Sequence, residues 1–173
     1  HVQQPVGPLR ALPCEPKNSR HRRDVCVLPT HWLISTQTPQ DIKGWTALVT
    51  GASSGFGKAT AWRFAELGCK LIIVARRGDR LEALASELKA KYQTEVFCLI
   101  LDMMDIPKVE KMDELLPESF RNVDILVNNA GLALGKNSVE ENVTSDIVRM
   151  MTTNVTSLII ATTLFTKGMK ARG

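Results

Sequence analysis

Apolar runs and amphipathic stretches alternate along the chain from residue 41 onward. Four runs are apolar at almost every position, which is typical of strands covered on both faces, and they lie near 45–50, 70–75, 95–101 and 123–128. The stretches that follow them predict helices near 55–67, 79–92, 106–116 and 144–172. A helix after every strand predicts an α/β fold with a parallel sheet.

The turn between the first strand and the first helix is rich in glycine. It reads Thr50-Gly51-Ala52-Ser53-Ser54-Gly55-Phe56-Gly57. Glycine permits positive φ and leaves no Cβ between backbone and ligand, and the first N–H groups of a helix attract an anion. The turn therefore predicts a dinucleotide-phosphate site, with an ordinary tight turn as the alternative. Its candidate cofactor-binding residues are Gly51, Ser53, Ser54, Gly55, Phe56 and Gly57.

The glycine spacing is G-x-x-x-G-x-G and differs from the G-x-G-x-x-G of the usual dinucleotide fingerprint. Together with Asn128-Asn129-Ala130-Gly131 after the fourth apolar run, it resembles the short-chain dehydrogenase/reductase family. The resemblance implies a Rossmann-like, doubly wound parallel sheet with strand order 3-2-1-4. Residues 41–173 resemble the N-terminal part of such an NADP-binding domain, truncated after the fourth strand and the following long helix.

The second strand ends in Arg76-Arg77, where the resemblance places the adenosine ribose of the cofactor. An acidic residue there would hold a 2′-hydroxyl and repel a 2′-phosphate. A guanidinium is a planar, permanently charged fork that suits phosphate. We therefore predict NADP as the cofactor, with Arg76 and Arg77 in its site. The alternative is a solvated arginine pair at the start of the next helix.

The ends of the third and fourth strands complete the predicted cofactor site. Asp102 and Met103 follow the third strand, and in the family a carboxylate here accepts a hydrogen bond from the adenine amino group. Taken alone, an Asp after a strand is more often a helix cap or turn residue. At the fourth strand, the resemblance assigns Asn129, Ala130 and Gly131 to the place where the strand end approaches the cofactor.

The resemblance also implies hydride transfer between a nicotinamide and a carbonyl or alcohol carbon. The family's catalytic set is a Tyr-x-x-x-Lys pair, a serine and an asparagine. Only the asparagine, Asn154, matches here; the one tyrosine, Tyr92, is followed four residues later by Val96. We expect the NADP(H)-binding part of an oxidoreductase that interconverts a hydroxyl and a carbonyl on a small substrate and is inactive alone. The alternative is a truncated, non-catalytic NADPH-binding module or pseudoenzyme.

A closer resemblance narrows the substrate class. Arg80-Leu81, Leu116-Pro117-Glu118 and Leu132-Ala133-Leu134-Gly135 resemble NADP-dependent dehydrogenases that act on serine and other 3-hydroxy acids. The resemblance implies a 3-hydroxy acid as a possible substrate. It also implies that the full-length parent protein is a homo-oligomer.

Charge and composition exclude several other classes. The net charge is +4, of which residues 1–40 carry +3 and the remainder +1, so the folded part is near neutral and a nucleic-acid surface is not expected. No apolar run in the sequence reaches the roughly 18 residues of a membrane span, and we expect no membrane segment. The spacing of Cys14, His21, Cys26 and His31 fits no usual zinc pattern, so no metal site is expected.

Residues 1–40 differ from the rest because they are rich in proline and show no helical or strand period. We expect disorder or loose coil. Three interpretations stay open: the end of a transit peptide, translated non-coding sequence from a fragment, or a basic tail that binds a partner. His1 at the start indicates an incomplete natural product. Cys69 and Cys98, expected to be buried, suit a reducing compartment, so we expect a cytoplasmic protein, or an organellar one if this segment is a transit peptide.

Overall fold

The computed structural model describes residues 41–135 and 138–172. The predictions for residues 1–40 lie outside the described residues. The strands are β1 (Thr46–Thr50), β2 (Lys70–Ala75), β3 (Val96–Ile100) and β4 (Ile125–Val127). The α-helices are α1 (Gly55–Glu66), α2 (Gly78–Tyr92), α3 (Ile106–Val109), α4 (Thr144–Met151) and α5 (Ser157–Arg172), and a π-helical segment, Thr152–Thr156, joins the last two.

The four strands form one parallel sheet in the order β3-β2-β1-β4, as the resemblance implied. Leu48 in β1 lies in register with Ile72 of β2 and Leu126 of β4. Every residue of β1 is buried, because helices cover both faces of the sheet. The predicted α/β, Rossmann-like parallel sheet is therefore confirmed.

Each face of the sheet carries its own hydrophobic core. One core packs α1 and α2 on the sheet and includes Ala61, Ala65 and Leu84. The other packs the chain after β3 and helix α5 on the opposite face and includes Met112, Ala161 and Phe165. This two-sided cover closes the faces of the central strands β1 and β2, so a ligand site at these strands must lie at their ends.

Two predicted elements are shorter than expected. The third helix was predicted over 106–116 but ends at Val109, so that prediction is wrong. Beyond it, Met112 donates to the carbonyl of Val109 and Leu115 to that of Met112, which are three-residue turns and not α-helical bonds. The apolar positions of this segment do face the core, since Met112 is buried. A series of tight turns, and not an α-helix, places them there. Strand β4 covers only 125–127 because the Asn129 N–H turns back onto the carbonyl of Val127.

The fourth helix was predicted over 144–172, and the helical run Thr144–Arg172 confirms that extent. By length and composition alone, this run is long and apolar enough to cross a membrane, which the sequence analysis did not expect. A mostly buried core helix of a globular domain meets the same criteria; here Ser157, Ala161 and Phe165 of α5 are buried in the domain, and 17% of the apolar window is buried.

The opposite side of this helical run is an apolar stripe on the surface. Ile147, Met151, Val155 and Ile159 recur every four residues and are 44%, 52%, 39% and 56% exposed. Strand β4 adds an edge that pairs only with β1 among the described strands. Exposed apolar patches and open edges favour association, so we predict poor solubility or marginal stability for the chain alone.

Two lysines on this stripe should reduce self-association. The variant Val155→Lys with Ile159→Lys replaces exposed apolar side chains by charged ones. We expect the wild-type chain to form larger species as its concentration rises and the variant to remain monomeric over a wider range. Light scattering after size-exclusion chromatography measures both.

The matched control is Ser145→Lys with Thr156→Lys, which adds the same charge at exposed polar positions of the same helical run that lie off the four-residue spacing of the stripe. An equal gain in monomer for both double variants would mean that net charge, and not the stripe, governs the association.

Candidate functional site

A cleft lies at the edge of the sheet that the carboxyl ends of the strands form. From β1 the chain crosses to β2 on one side, and β4 pairs with β1 on the other side. Ligands of open α/β sheets bind at this kind of switch point. Nine of the predicted site residues line the cleft: Gly51, Ser53, Ser54, Arg76, Arg77, Asp102, Met103, Ala130 and Gly131. The cleft is also lined by residues that sequence reasoning missed, namely Ala75, Leu101, Leu132 and Thr153.

The hydroxyl of Thr50 ties the ends of β1 and β4 together. Its Oγ1 accepts hydrogen bonds from the N–H groups of Asn129 (3.0 Å) and Ala130 (2.9 Å) and donates to the carbonyl of Val127 (3.3 Å). The side-chain amide of Asn129 bonds the β1 end in turn: its Nδ2 donates to the carbonyls of Thr50 (3.0 Å) and Gly51 (3.2 Å). Thr50 is a functional residue that sequence reasoning missed, and its only signal was a hydroxyl side chain directly before the glycine turn.

The glycines of the turn meet a steric requirement. Gly51 has φ of +66°, and a Cβ added there would lie 2.8 Å from the Cα of Ala130. A Cβ on Gly57 would collide with the carbonyl oxygen of Gly51 and with Nδ2 of Asn129. The turn and the end of β4 therefore approach each other as closely as backbone permits.

The start of α1 offers unpaired N–H groups beside the cleft. The first bond of the helix runs from the Lys58 N–H to the Ser54 carbonyl (3.3 Å), so the N–H groups of Gly55, Phe56 and Gly57 have no partner within the helix. Ser54 is the N-cap, yet its side chain makes no capping hydrogen bond. The Phe56 side chain is 87% exposed. This helix end provides the donors and the dipole that favour an anion.

Two arginines stand on the other side of the cleft, at the end of β2. Arg77 Nη2 donates to Oγ of Ser53 (2.9 Å) and Oγ of Ser54 (3.2 Å), so the glycine turn and the start of α2 share a polar cluster. Arg76 Nη1 lies 3.8 Å from Oδ2 of Asp102, and both side chains are partly exposed. The structure thus brings together two guanidinium groups and two hydroxyl groups, which is a suitable set for a phosphate.

Asp102 also organises its own loop. Its Oδ1 accepts a hydrogen bond from the Met104 N–H (3.0 Å), as expected of an aspartate in a turn after a strand. The other oxygen faces Arg76. Met103 beside it is buried at 5% exposure and forms part of the cleft wall. Both interpretations of Asp102 offered by the sequence are compatible with this geometry.

Asn154 lies in the π-helical segment and reaches the chain that follows β4. Its Oδ1 accepts from the Leu132 N–H (2.9 Å) and its Nδ2 donates to the Leu132 carbonyl (2.8 Å). The side chain therefore holds one backbone residue at two points, and its Oδ1 lies 3.4 Å from the position of a Cβ on Gly131. The predicted catalytic asparagine is in this way a positioning element of the cleft's rim.

The other reactive side chains of the described part lie apart from the cleft. The Tyr92 ring packs edge-on against Trp62 with 5.8 Å between ring centroids, at the end of α2. Burial raises the pKa of the Cys69 and Cys98 thiols, so both stay protonated at neutral pH. Neither the tyrosine nor the cysteines line the cleft.

Comparison with known proteins agrees with this geometry. The sequence profile described as short chain dehydrogenase matches residues 45–173. The chain belongs to the short-chain dehydrogenase family. The chain spans about half the length of the curated relatives it matches.

Two relatives illustrate the match. An NADP-dependent 3-hydroxy acid dehydrogenase of Schizosaccharomyces pombe is 44% identical over 122 residues, 70% of this chain and 47% of that protein. A serine 3-dehydrogenase of Agrobacterium fabrum is 47% identical over 114 residues, 66% of this chain and 44% of that protein.

Solved structures of this family share the fold. Serine dehydrogenase from Escherichia coli superposes with a TM-score of 0.65 at 38% identity, over 73% of this chain and 57% of that one. L-sorbose reductase from Gluconobacter frateurii, solved with NADPH and L-sorbose, gives a TM-score of 0.72 at 34% identity, over 78% of this chain and 51% of that one. The family assignment made from the glycine turn and the Asn-Asn-Ala-Gly segment is confirmed.

Thr50→Val should destabilise this short-chain dehydrogenase fold, because it removes the acceptor of two N–H groups while keeping the side-chain shape. Leaving a buried polar group unpaired costs about 1–3 kcal/mol. The Asn129 N–H keeps the Val127 carbonyl as an acceptor, so only the Ala130 N–H is left unpaired, and we expect the free energy of unfolding in urea to fall by about 1–3 kcal/mol. Thr50→Ser keeps the hydroxyl and should lose far less; a loss in Thr50→Ser as large as that in Thr50→Val would contradict the assignment of the stabilisation to the hydroxyl.

Gly57→Ala should destabilise the turn by about 1–3 kcal/mol, the usual cost of forcing extra atoms into a packed site. The matched control is Gly55→Asn, at φ +56°, where a Cβ meets no atom within 4 Å and asparagine tolerates the conformation. Urea denaturation should rank Gly57→Ala as the less stable variant. The reverse order would contradict the close approach of the turn to β4.

Proposed function

We propose that this chain is the NADP(H)-binding part of an oxidoreductase that interconverts a hydroxyl and a carbonyl on a small substrate, with a 3-hydroxy acid as the substrate class. One observation supports NADP(H) as the cofactor. Arg76 and Arg77 line the same cleft as the glycine turn, and the Arg77 side chain donates hydrogen bonds to the two serines of that turn. The names of the relatives, a 3-hydroxy acid dehydrogenase and a serine 3-dehydrogenase, support the substrate class.

The charge of the cleft favours a cofactor with a 2′-phosphate. A 2′-hydroxyl is usually held by a carboxylate at the end of the second strand, and here that position carries two guanidinium groups. Arg76 is partly balanced by Asp102 at 3.8 Å. Arg77 makes no ion pair with any described residue and contacts only neutral hydroxyls, so its full charge is available to an anion.

The hydrogen-bond donors and charges at the cleft match the phosphate groups of the cofactor. The unpaired N–H groups at the start of α1 would hold the pyrophosphate, and Arg76 and Arg77 the 2′-phosphate. The backbone of Ala130 and Gly131 bounds the cleft without side chains that would block it. When bound, the nicotinamide supplies the hydride. This chain's residues bind and orient it, and Asn154 keeps the segment around Leu132 in place.

A second candidate function is binding of NADPH without turnover by this chain alone. The observation that favours it is the position of Tyr92, which packs on Trp62 outside the cleft and has no lysine four residues later. The 173-residue chain should therefore bind NADPH but show no oxidation of L-serine with NADP. Turnover by the purified chain would contradict the predicted inactivity.

Arg76→Asp should weaken NADPH binding far more than NADH binding, because only NADPH carries the 2′-phosphate. Loss of one charge-assisted contact and gain of a repulsive carboxylate should cost at least about tenfold in Kd, or about 1.4 kcal/mol. Fluorescence titration of the reduced cofactors measures both constants.

The control is Arg80→Asp, which makes the same charge change in the first turn of α2, outside the cleft. It should leave the ratio of the two constants unchanged. Equal loss of NADPH and NADH affinity in Arg76→Asp would overturn the assignment of NADP(H).

A further inference from the structure

The segment that follows β4 forms one rim of the cleft and has no regular secondary structure. Residues 131–135 belong to neither a helix nor a strand, and Leu132 lines the cleft. The backbone groups of such a segment need partners from other elements. Asn154 bonds the N–H and the carbonyl of Leu132. These two bonds fix one residue, and the direction in which the chain continues depends on a second contact.

The second contact comes from the thioether of Met150. The Leu134 N–H donates to Sδ of Met150, with 3.3 Å between nitrogen and sulfur. Met150 stands four residues before Asn154, so the two side chains lie on the same face of the helical run. Thr153 lines the cleft, but its buried hydroxyl bonds no other described residue and does not hold the segment. Met150 and Asn154 therefore hold the rim at two residues.

The sulfur can act here in two ways, as an apolar packing group or as a hydrogen-bond acceptor. A thioether is a weak acceptor, and an unbranched methionine adapts to the irregular gap between a helix and a loop. The contact with the Leu134 N–H is partly buried, so this donor has only limited access to water. Leucine has nearly the same volume but accepts no hydrogen bond, whereas glutamine has a similar length and a strong acceptor. The two substitutions therefore separate packing from acceptance.

The rim lies on one particular side of the cleft. In the sheet order, β1 separates β2, which ends at Arg76 and Arg77, from β4, which leads to Leu132. The pyrophosphate of a dinucleotide joins two nucleosides. With the pyrophosphate at the start of α1 and the 2′-phosphate at the arginines, the second nucleoside extends toward β4. A ligand that carries only the adenosine half does not reach this rim.

We propose that Met150 is a positioning residue, whose thioether accepts the Leu134 N–H and so holds the segment after β4 in the place that a bound dinucleotide requires. This role rests on the proposed function, because it takes the cleft to be an NADP(H) site. It adds a residue that touches no ligand and acts through the backbone of Leu134.

Isothermal titration calorimetry of the full 173-residue chain compares two probes, NADPH and adenosine 2′,5′-bisphosphate. Met150→Leu keeps the volume and removes the acceptor, so it should bind NADPH about three- to tenfold more weakly and the bisphosphate as wild type does. Met150→Gln supplies an amide oxygen and should bind NADPH within about twofold of wild type. The control Met151→Leu makes the same change on the exposed apolar stripe and should leave both affinities unchanged.

Amide hydrogen exchange at Leu134 tests the contact without any ligand. Loss of the acceptor should make exchange in Met150→Leu about three- to tenfold faster than in wild type. The rate in Met150→Gln should stay near that of wild type. If Met150 acted only as an apolar packing group, the order would be reversed, with the glutamine variant the more disturbed of the two.

Four results would each overturn the role of Met150. They are wild-type NADPH affinity in Met150→Leu, an equal loss of affinity for both probes, a Met150→Gln variant that binds NADPH no better than Met150→Leu, and an unchanged exchange rate of Leu134 in Met150→Leu. Failure of the wild-type chain to bind either probe would instead overturn the proposed function. The exchange rates alone would then decide whether Met150 holds the segment.

Discussion

The candidate site depends on the hydroxyl of Thr50, which joins the ends of two neighbouring strands. The strands β1 and β4 are adjacent in the sheet but distant in the chain, and Thr50 bonds the backbone of Asn129 and Ala130 directly. This contact holds the glycine turn against the start of the next loop, where Gly51 leaves room for Ala130. The width of the cleft depends on the separation between the glycine turn and the end of β4. A wider separation would remove the wall that Ala130 and Gly131 form.

A similar side-chain-to-backbone contact occurs at the rim of the cleft. Asn154 bonds both backbone groups of Leu132, as Asn129 bonds the carbonyls of Thr50 and Gly51. In each case a side-chain amide takes over backbone groups that a strand or helix would otherwise pair. These hydrogen bonds pair the backbone of Gly51 and Leu132, which line the cleft, and fix the shape of the irregular chain there.

The sequence predicted what local patterns encode. Four apolar runs became the strands, and one cleft is lined by Gly51, Ser53 and Ser54 of the glycine turn together with Arg76 and Arg77. The short α3 was not predictable, because apolar positions spaced by three or four residues fit both a helix and a series of tight turns. Thr50 and Thr153 were missed for a related reason. A threonine is common in strands and helices, and only the tertiary structure shows which hydroxyl bonds another segment and which bonds nothing.

The long helical run after β4 links the cleft to the stability of the domain. Its π-helical segment carries both Asn154 and Thr153, and it is held to the sheet through Ser157, Ala161 and Phe165 of α5. Only 17% of its apolar window is buried, so the free energy that docks it is limited by area. Thr153 of this run lines the cleft, as does Leu132, which Asn154 holds. A ligand that contacts them therefore stabilises the docked run, by an amount that grows with the logarithm of the ligand concentration.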